Sequence, residues 1–208
     1  MKIHIKQYCN ILSNKALLNG KSLYEFAQKP VETTDFLSDI YNLLGIDYRK
    51  FFKMDILSKA GFLASELLLK DFDREQAKED MGIVFFNRSG SLEADIAYQQ
   101  TIQDKDNYFP SPAVFVYTLP NIVTGEIAIR SKIHGETAFF ILPEFNAKSI
   151  ETTVQDIFCR SGLKYLLTGW VEVEEEIDVC MMLCVAEEEG RLVFNQRNIN
   201  VSYYKSHI

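Results

Sequence analysis

The sequence has no run of Lys or Arg longer than two and carries a formal charge of −7. Nucleic acids and anionic membrane surfaces are bound by clustered positive charge, so both partner classes are excluded. No stretch approaches the 18 or so continuous apolar residues that cross a bilayer. The N-terminus MKIHIKQYCNI lacks the apolar core and small-residue cleavage site of a signal peptide, which leads to the expectation of a cytoplasmic protein. Four cysteines, Cys9, Cys159, Cys180 and Cys184, are too few and too scattered for a disulfide framework. Cys180 and Cys184 lie in IDVCMMLCVA, which reads as a buried strand. Residues four apart along a strand are roughly 13 Å apart, so no metal site is expected there. Nucleophile-elbow, zinc-helix and P-loop patterns are all missing, and the three histidines, His4, His134 and His207, have no Ser or Cys partner in such a context.

What is present is core-forming material. Apolar residues make up 47% of the 208, with fifteen Phe and ten Tyr, enough for one domain over 1–208 with thick apolar layers. Ile3 and Ile5 alternate with polar neighbours as in a half-buried strand, which turns His4 outward. From Ile11 to Pro30 the pattern is mixed, with Asn19-Gly20 supplying a turn and Pro30 a stop. Thr34 or Asp35 caps a helix through Leu44 that ends at Gly45, and KMDILSKAGFLASELLLKDF is a second, strongly amphipathic helix. Gly61 and Ala64 on its apolar stripe predict a close neighbour.

Met81 to Phe86 is apolar on both faces and reads as a central strand. The turn Asn87-Arg88-Ser89-Gly90-Ser91 leads into a helix; its backbone N–H groups could cradle an anion beside Arg88, but the favoured reading is simply a capped helix start. Ser111 to Glu144 follows: an extended arm with Pro110 and Pro112, a helix opened by Pro120 and Asn121, a turn at Gly135, and an apolar strand Thr137 to Leu142. A helix from Ala147 to a stop at Gly162 and two strands, Leu163 to Val173 and Ile177 to Ala186, joined at Glu174-Glu175-Glu176, complete the pattern. RLVFN and the tail NVSYYKSHI suggest a last strand. The alternation predicts an α/β fold, layered α/β/α around a five-stranded mixed sheet.

Three blocks, KMDILSKAGFLASELLL, FFNRSGSLEAD and SPAVFVYTLPNIVTGEIAIRSKIHGETAFF, resemble in content, order and spacing the N-terminal half of a β-ketoacyl synthase (3-oxoacyl-acyl-carrier-protein synthase). This is the thiolase-like condensing enzyme of fatty acid, polyketide and aryl-polyene synthesis. The similarity runs from about Met54 to at least Glu188. It implies a thiolase-like half, and a nucleophilic Cys at the helix start that follows the strand, near position 144. This sequence has Leu142-Pro143-Glu144-Phe145 there, and Cys159 lies too far along the helix. The family's two histidines and its lysine come from a second half that would begin where this chain ends.

The resemblance therefore implies a pseudoenzyme with a vestigial nucleophile position near Glu144 and with no cofactor. It implies a dimer seam at the strand Thr137, Ala138, Phe139, Phe140, Ile141 and Leu142, used in a homodimer or in a heterodimer with a full-length ketoacyl synthase, as in chain-length-factor subunits. Arg88 and Arg130 are the residues that could dock an acyl carrier protein. Two other readings stay open: a small acyl-thioester transferase or hydrolase using Glu144 or His134 as base, and a homodimer that binds acyl chains or a carrier protein.

Overall fold

The computed structural model describes residues 2–25, 33–106, 108–187 and 190–204. The expected stop at Pro30 and the terminal His207 lie outside these. Three strands open the chain: β1 (His4–Leu12), β2 (Lys15–Leu18) and β3 (Lys21–Glu25). Helices α1 (Thr33–Leu43) and α2 (Ile56–Leu68) follow, with a short 3-10 turn at Arg49–Lys53 between them. Then come β4 (Met81–Asn87), α3 (Leu92–Gln100), α4 (Pro112–Val116), α5 (Ile122–Ser131), β5 (Thr137–Ile141) and α6 (Ala147–Ser161). The chain closes with β6 (Tyr165–Val173), β7 (Ile177–Val185), β8 (Leu192–Val193) and α7 (Gln196–Tyr204).

All eight strands join one sheet in the order β3-β2-β1-β7-β6-β4-β5, with β8 on β1. The strands β5, β4 and β6 run parallel, and β7 is antiparallel to both β6 and β1. The layered mixed α/β architecture is the expected one, but the sheet has eight strands where five were expected. Most of β3, KSLYE, is exposed, so it shows no apolar period, while β8, two residues long, falls within the expected RLVFN run. The hairpin between β2 and β3 does have its local cause: Asn19 and Gly20 both take positive φ (54° and 77°), the geometry of a two-residue turn.

Each sheet face has its own core. Phe85, Ile83 and Met81 of β4 pack with Val179 and Met181 of β7 under α1, α2 and α5, while Val84 and Phe86 pack with Trp170 and Leu166 under α6 and α7. This is why β4 is apolar at nearly every position and entirely buried. Burying each such side chain contributes about 1.5–3 kcal/mol. Asp55 caps α2 by accepting from Ser58 N at 3.1 Å. Gly61 lets α5 approach α2: a Cβ there would lie 2.5 Å from Val123 Cγ2. The charged stretch after α2 is anchored from inside, because the buried Lys78 ammonium donates to the carbonyls of Asp73 (2.6 Å), Gln76 (2.8 Å) and Ser131 (2.8 Å).

Three local expectations are corrected. His4 is buried, with Nδ1 2.7 Å from the Glu187 carbonyl, because β8 and Gly190 close over the start of β1 and a register shift between Ile5 and Gln7 interrupts the simple alternation. Pro112 opens a short helix instead of an extended arm, since proline suits a first helical position and Ser111 Oγ caps Val114 N at 3.4 Å. The tail forms α7 instead of a strand: Ile199 is buried on the α6 side of the sheet, and Asn195 Oδ1 accepts from Asn198 N at 2.9 Å.

Candidate interface and the surroundings of Glu144

Strand β5 is bonded on one edge only. It pairs with β4 from Ile83↔Thr137 to Asn87↔Ile141, and among the described residues no strand pairs with its other edge. Exposed edges are usually guarded by charge, proline or a bulge, and TAFFI has none of these. Phe139 packs into the core under α2 and α5, and Phe140 stacks on Phe86 with centroids 5.4 Å apart. Even so, Phe140 stays 40% and Ile141 53% exposed. Leu142 continues the ladder by one bond, its N–H donating to Asn87 O at 2.8 Å, and packs against the α6-side core with Ala138.

The surroundings of this edge are also apolar. On α5, Val123, Thr124, Glu126 and Ile127 face inward, leaving Ile122, Gly125 and Ile129 along the outer side; Ile129 is 67% exposed. Phe115, Val116 and Leu119, in and after α4, are each exposed by 44% to 50%. A Cβ built on Gly90 would lie 3.7 Å from Pro120 Cγ and 3.8 Å from Ile141 Cδ1, so the segment leaving α4 meets the end of β5. Contiguous apolar surface around an open strand edge is the form of a protein–protein contact.

Glu144 lies on the surface between β5 and α6, and among the described residues its carboxylate has no hydrogen bond or ion pair. The helix start beside it is capped by Asn146, whose Oδ1 accepts from Ser149 N at 2.9 Å. His134 pairs with Glu79 at 2.8 Å at the opposite end of β5, roughly 20 Å of extended chain from Glu144, so the two cannot act together. No thiol substitutes. Cys9, Cys180 and Cys184 are buried, and burial pushes their pKa values up, Cys180 to about 12. Cys159 is exposed near the C-terminal end of α6, far from the helix start beside Glu144.

The two arginines have internal partners. The turn after β4 does cradle an anion, and that anion is the protein's own Glu172. Its Oε2 accepts from Arg88 N (2.6 Å) and Ser89 N (3.2 Å), and its Oε1 accepts from Ser89 Oγ. The Arg88 guanidinium pairs with Glu174. Arg130 contacts the buried Glu66 at 3.3 Å and lies 4.9 Å over the Tyr48 ring. Among the described residues no group of three His, Cys, Asp or Glu side chains could hold a metal ion, and no helix is long and apolar enough to cross a membrane.

Two arrangements had no sequence signal. The buried Glu66 joins Arg74 to Arg130, although Arg130 lies 64 residues from it in the chain. Phe145, next to Glu144, packs against Trp170 and Tyr203 from distant elements.

No protein-family model matches the chain, and no curated protein matches it significantly. Solved structures do. The ishigamide ketosynthase/chain length factor aligns at TM-score 0.61 and 13% identity, over 92% of this chain and 64% of that one. The ketosynthase ApeO in complex with its chain length factor ApeC, from Xenorhabdus doucetiae, aligns at TM-score 0.55 and 14% identity, over 90% of this chain and 80% of that one. AntDE:AntF, a type II polyketide acyl-carrier protein in complex with its ketosynthase bound to the hexaketide, aligns at TM-score 0.57 and 13% identity, over 88% and 62%. The fold is thus the thiolase-like fold of ketosynthases and chain length factors, and this chain spans about two-thirds of the length of the first of them.

Proposed function

We propose that this chain is a non-catalytic, ketoacyl-synthase-like subunit that pairs with a full-length condensing enzyme, as a chain length factor does, in the cytoplasmic synthesis of a fatty acid, polyketide or aryl-polyene pigment. The observation that carries the reading is the uncharged open edge of β5, set in apolar surface; on this reading Glu144, at the helix start beside it, stands where a synthase has its thiol. A condensation requires a nucleophile to hold the acyl group, and an exposed carboxylate in place of a thiol does not supply one. Partner pairing along β5 would satisfy its free backbone groups and cover Phe140, Ile141 and the outer row of α5.

A carrier protein is a further partner consistent with this reading. Of the two arginines, Arg88 keeps 56% of its side chain exposed and Arg130 only 20%, so Arg88 has the more surface to offer an acidic domain. The test is co-expression with the ketosynthases of the source organism, followed by size-exclusion chromatography with light scattering and assay of product. The expected result is a one-to-one complex that Ile141→Lys abolishes. A chain that neither joins a synthase nor alters its product overturns the proposal.

A further inference from the structure

Helix α3 is held by little. Its nine residues, LEADIAYQQ, fall short of the roughly 12–15 at which an isolated helix begins to stand in water, so it depends on burying a face against its neighbours. Of those residues only Ala94 is buried; Tyr98 is half-buried, and Leu92 and Ile96 are exposed. Helix α2, by contrast, buries eleven of its thirteen. Ser91 stands at the N-cap of α3 without capping it, because its Oγ donates to Thr118 O at 2.5 Å instead. The second side-chain anchor is the Tyr98 ring against Phe115 of α4, centroids 5.3 Å apart. Both anchors therefore lie on α4 and its exit, and α4 itself, five residues long, buries none of its residues.

We propose that α3 is ordered conditionally: in the free chain it exchanges between helix and open chain at comparable populations, and the subunit that pairs along β5 closes it by seating on α4. This rests on the reading of β5 as the pairing edge. Each ordered residue loses backbone entropy that one buried alanine and one half-covered ring do not offset, so α3 belongs at the low end of the range of local opening free energies. The contact that closes it is continuous with β5. Phe115, Val116 and Leu119 are exposed, and Pro120, next in the chain, meets Ile141 of β5 across Gly90. A subunit that covers Ile141 reaches the segment leaving α4, and what it fixes there is what α3 leans on: Phe115 through Tyr98, and Thr118 through Ser91. The ordering of α3 subtracts from the affinity of pairing, which makes that affinity adjustable from a helix the partner need not touch.

Hydrogen exchange read by mass spectrometry, on the free full chain and on its complex with a co-expressed ketosynthase, tests this. In the free chain the α3 amides should exchange within about tenfold of an unstructured peptide, while those of α2 and β4 stay protected to the level of global unfolding. In the complex, α3 should gain about tenfold or more in protection. Ala97→Gly, at an exposed position of α3, should shift its helix equilibrium about fivefold, loosen synthase binding about threefold and leave the urea midpoint of the whole chain unchanged. Protection of α3 in the free chain equal to that of α6, or a urea midpoint lowered by Ala97→Gly, overturns the proposal. A complex in which β5 gains protection and α3 does not also overturns it and leaves the pairing reading standing, whereas failure of any synthase to join the chain overturns both.

Discussion

Tyr203 lies flat on Phe145, ring centroids 3.8 Å apart and planes 8° from parallel. The pair clasps the last helix to the start of α6, one residue from Glu144, and the Tyr203 hydroxyl also reaches Asp178 on β7. Tyr203→Ala should therefore cost about 2–4 kcal/mol by leaving a cavity and losing the stack, and Tyr203→Phe about 1 kcal/mol by losing the hydroxyl alone. Urea unfolding of both variants measures this. Equal midpoints for Tyr203→Ala and the parent would show that α7 does not hold that end of the molecule.

Removing Glu172 should expose the anion cradle after β4. Glu172→Ala leaves the backbone N–H groups of Arg88 and Ser89 without their acceptor and the Ser89 hydroxyl with only the Val173 carbonyl at 3.4 Å, at a cost of about 1–3 kcal/mol. Added sulfate should raise the melting temperature of Glu172→Ala more than that of the parent, because the turn presents the same donors to a free anion. Equal responses to sulfate would mean that the turn collapses without its carboxylate.

The α2–α5 contact gives a prediction with an internal control. Gly61→Ala places a methyl group 2.5 Å from Val123 Cγ2, so overpacking should destabilise by about 1–3 kcal/mol. Combining it with Val123→Ala should cost less than the sum of the single changes, as contacting residues couple. Additive losses in a double-mutant cycle would contradict the close approach.

Alkaline pH should unfold the protein earlier than ordinary side-chain titration would. Burial, then the neighbouring Glu126 carboxylate, push the Tyr117 phenol up to about 12, and burial followed by Asp178 does the same to Cys180. Such groups keep their protons in the folded state after the unfolded chain has lost them. Their contribution is complete below the unfolded pKa values and is lost as pH rises through the folded ones. Stability should fall between about pH 9 and 12, and Tyr117→Phe should flatten that fall. A slope unchanged in Tyr117→Phe would remove Tyr117 from the account.

The elements that could be read from sequence are those whose residues carry their own pattern. Met81 to Phe86 is apolar throughout because both faces are covered, α6 shows its inner row of Ile150, Val154, Ile157 and Phe158, and the Glu174–Glu176 turn separates two long strands. The stretch with uncharged Phe139 and Phe140 was visible as a strand, and its place at the sheet margin follows from pairing that no local pattern encodes. Partnerships across the chain were not legible either. Arg88 and Ser89 meet Glu172 about 84 residues away, so an apparent anion site is already filled. His4 shows the opposite error, an alternation correct in itself but overridden by residues near 190 that fold back over it.

The open margin of β5 also has a consequence for how the protein must be made. Five uncharged residues with free backbone groups form a template for other extended chains, including further copies of this one. A partner that covered this margin would therefore set how much of the chain stays in solution. Synthesis in excess of it should yield inclusion bodies, and matched co-expression should yield soluble protein.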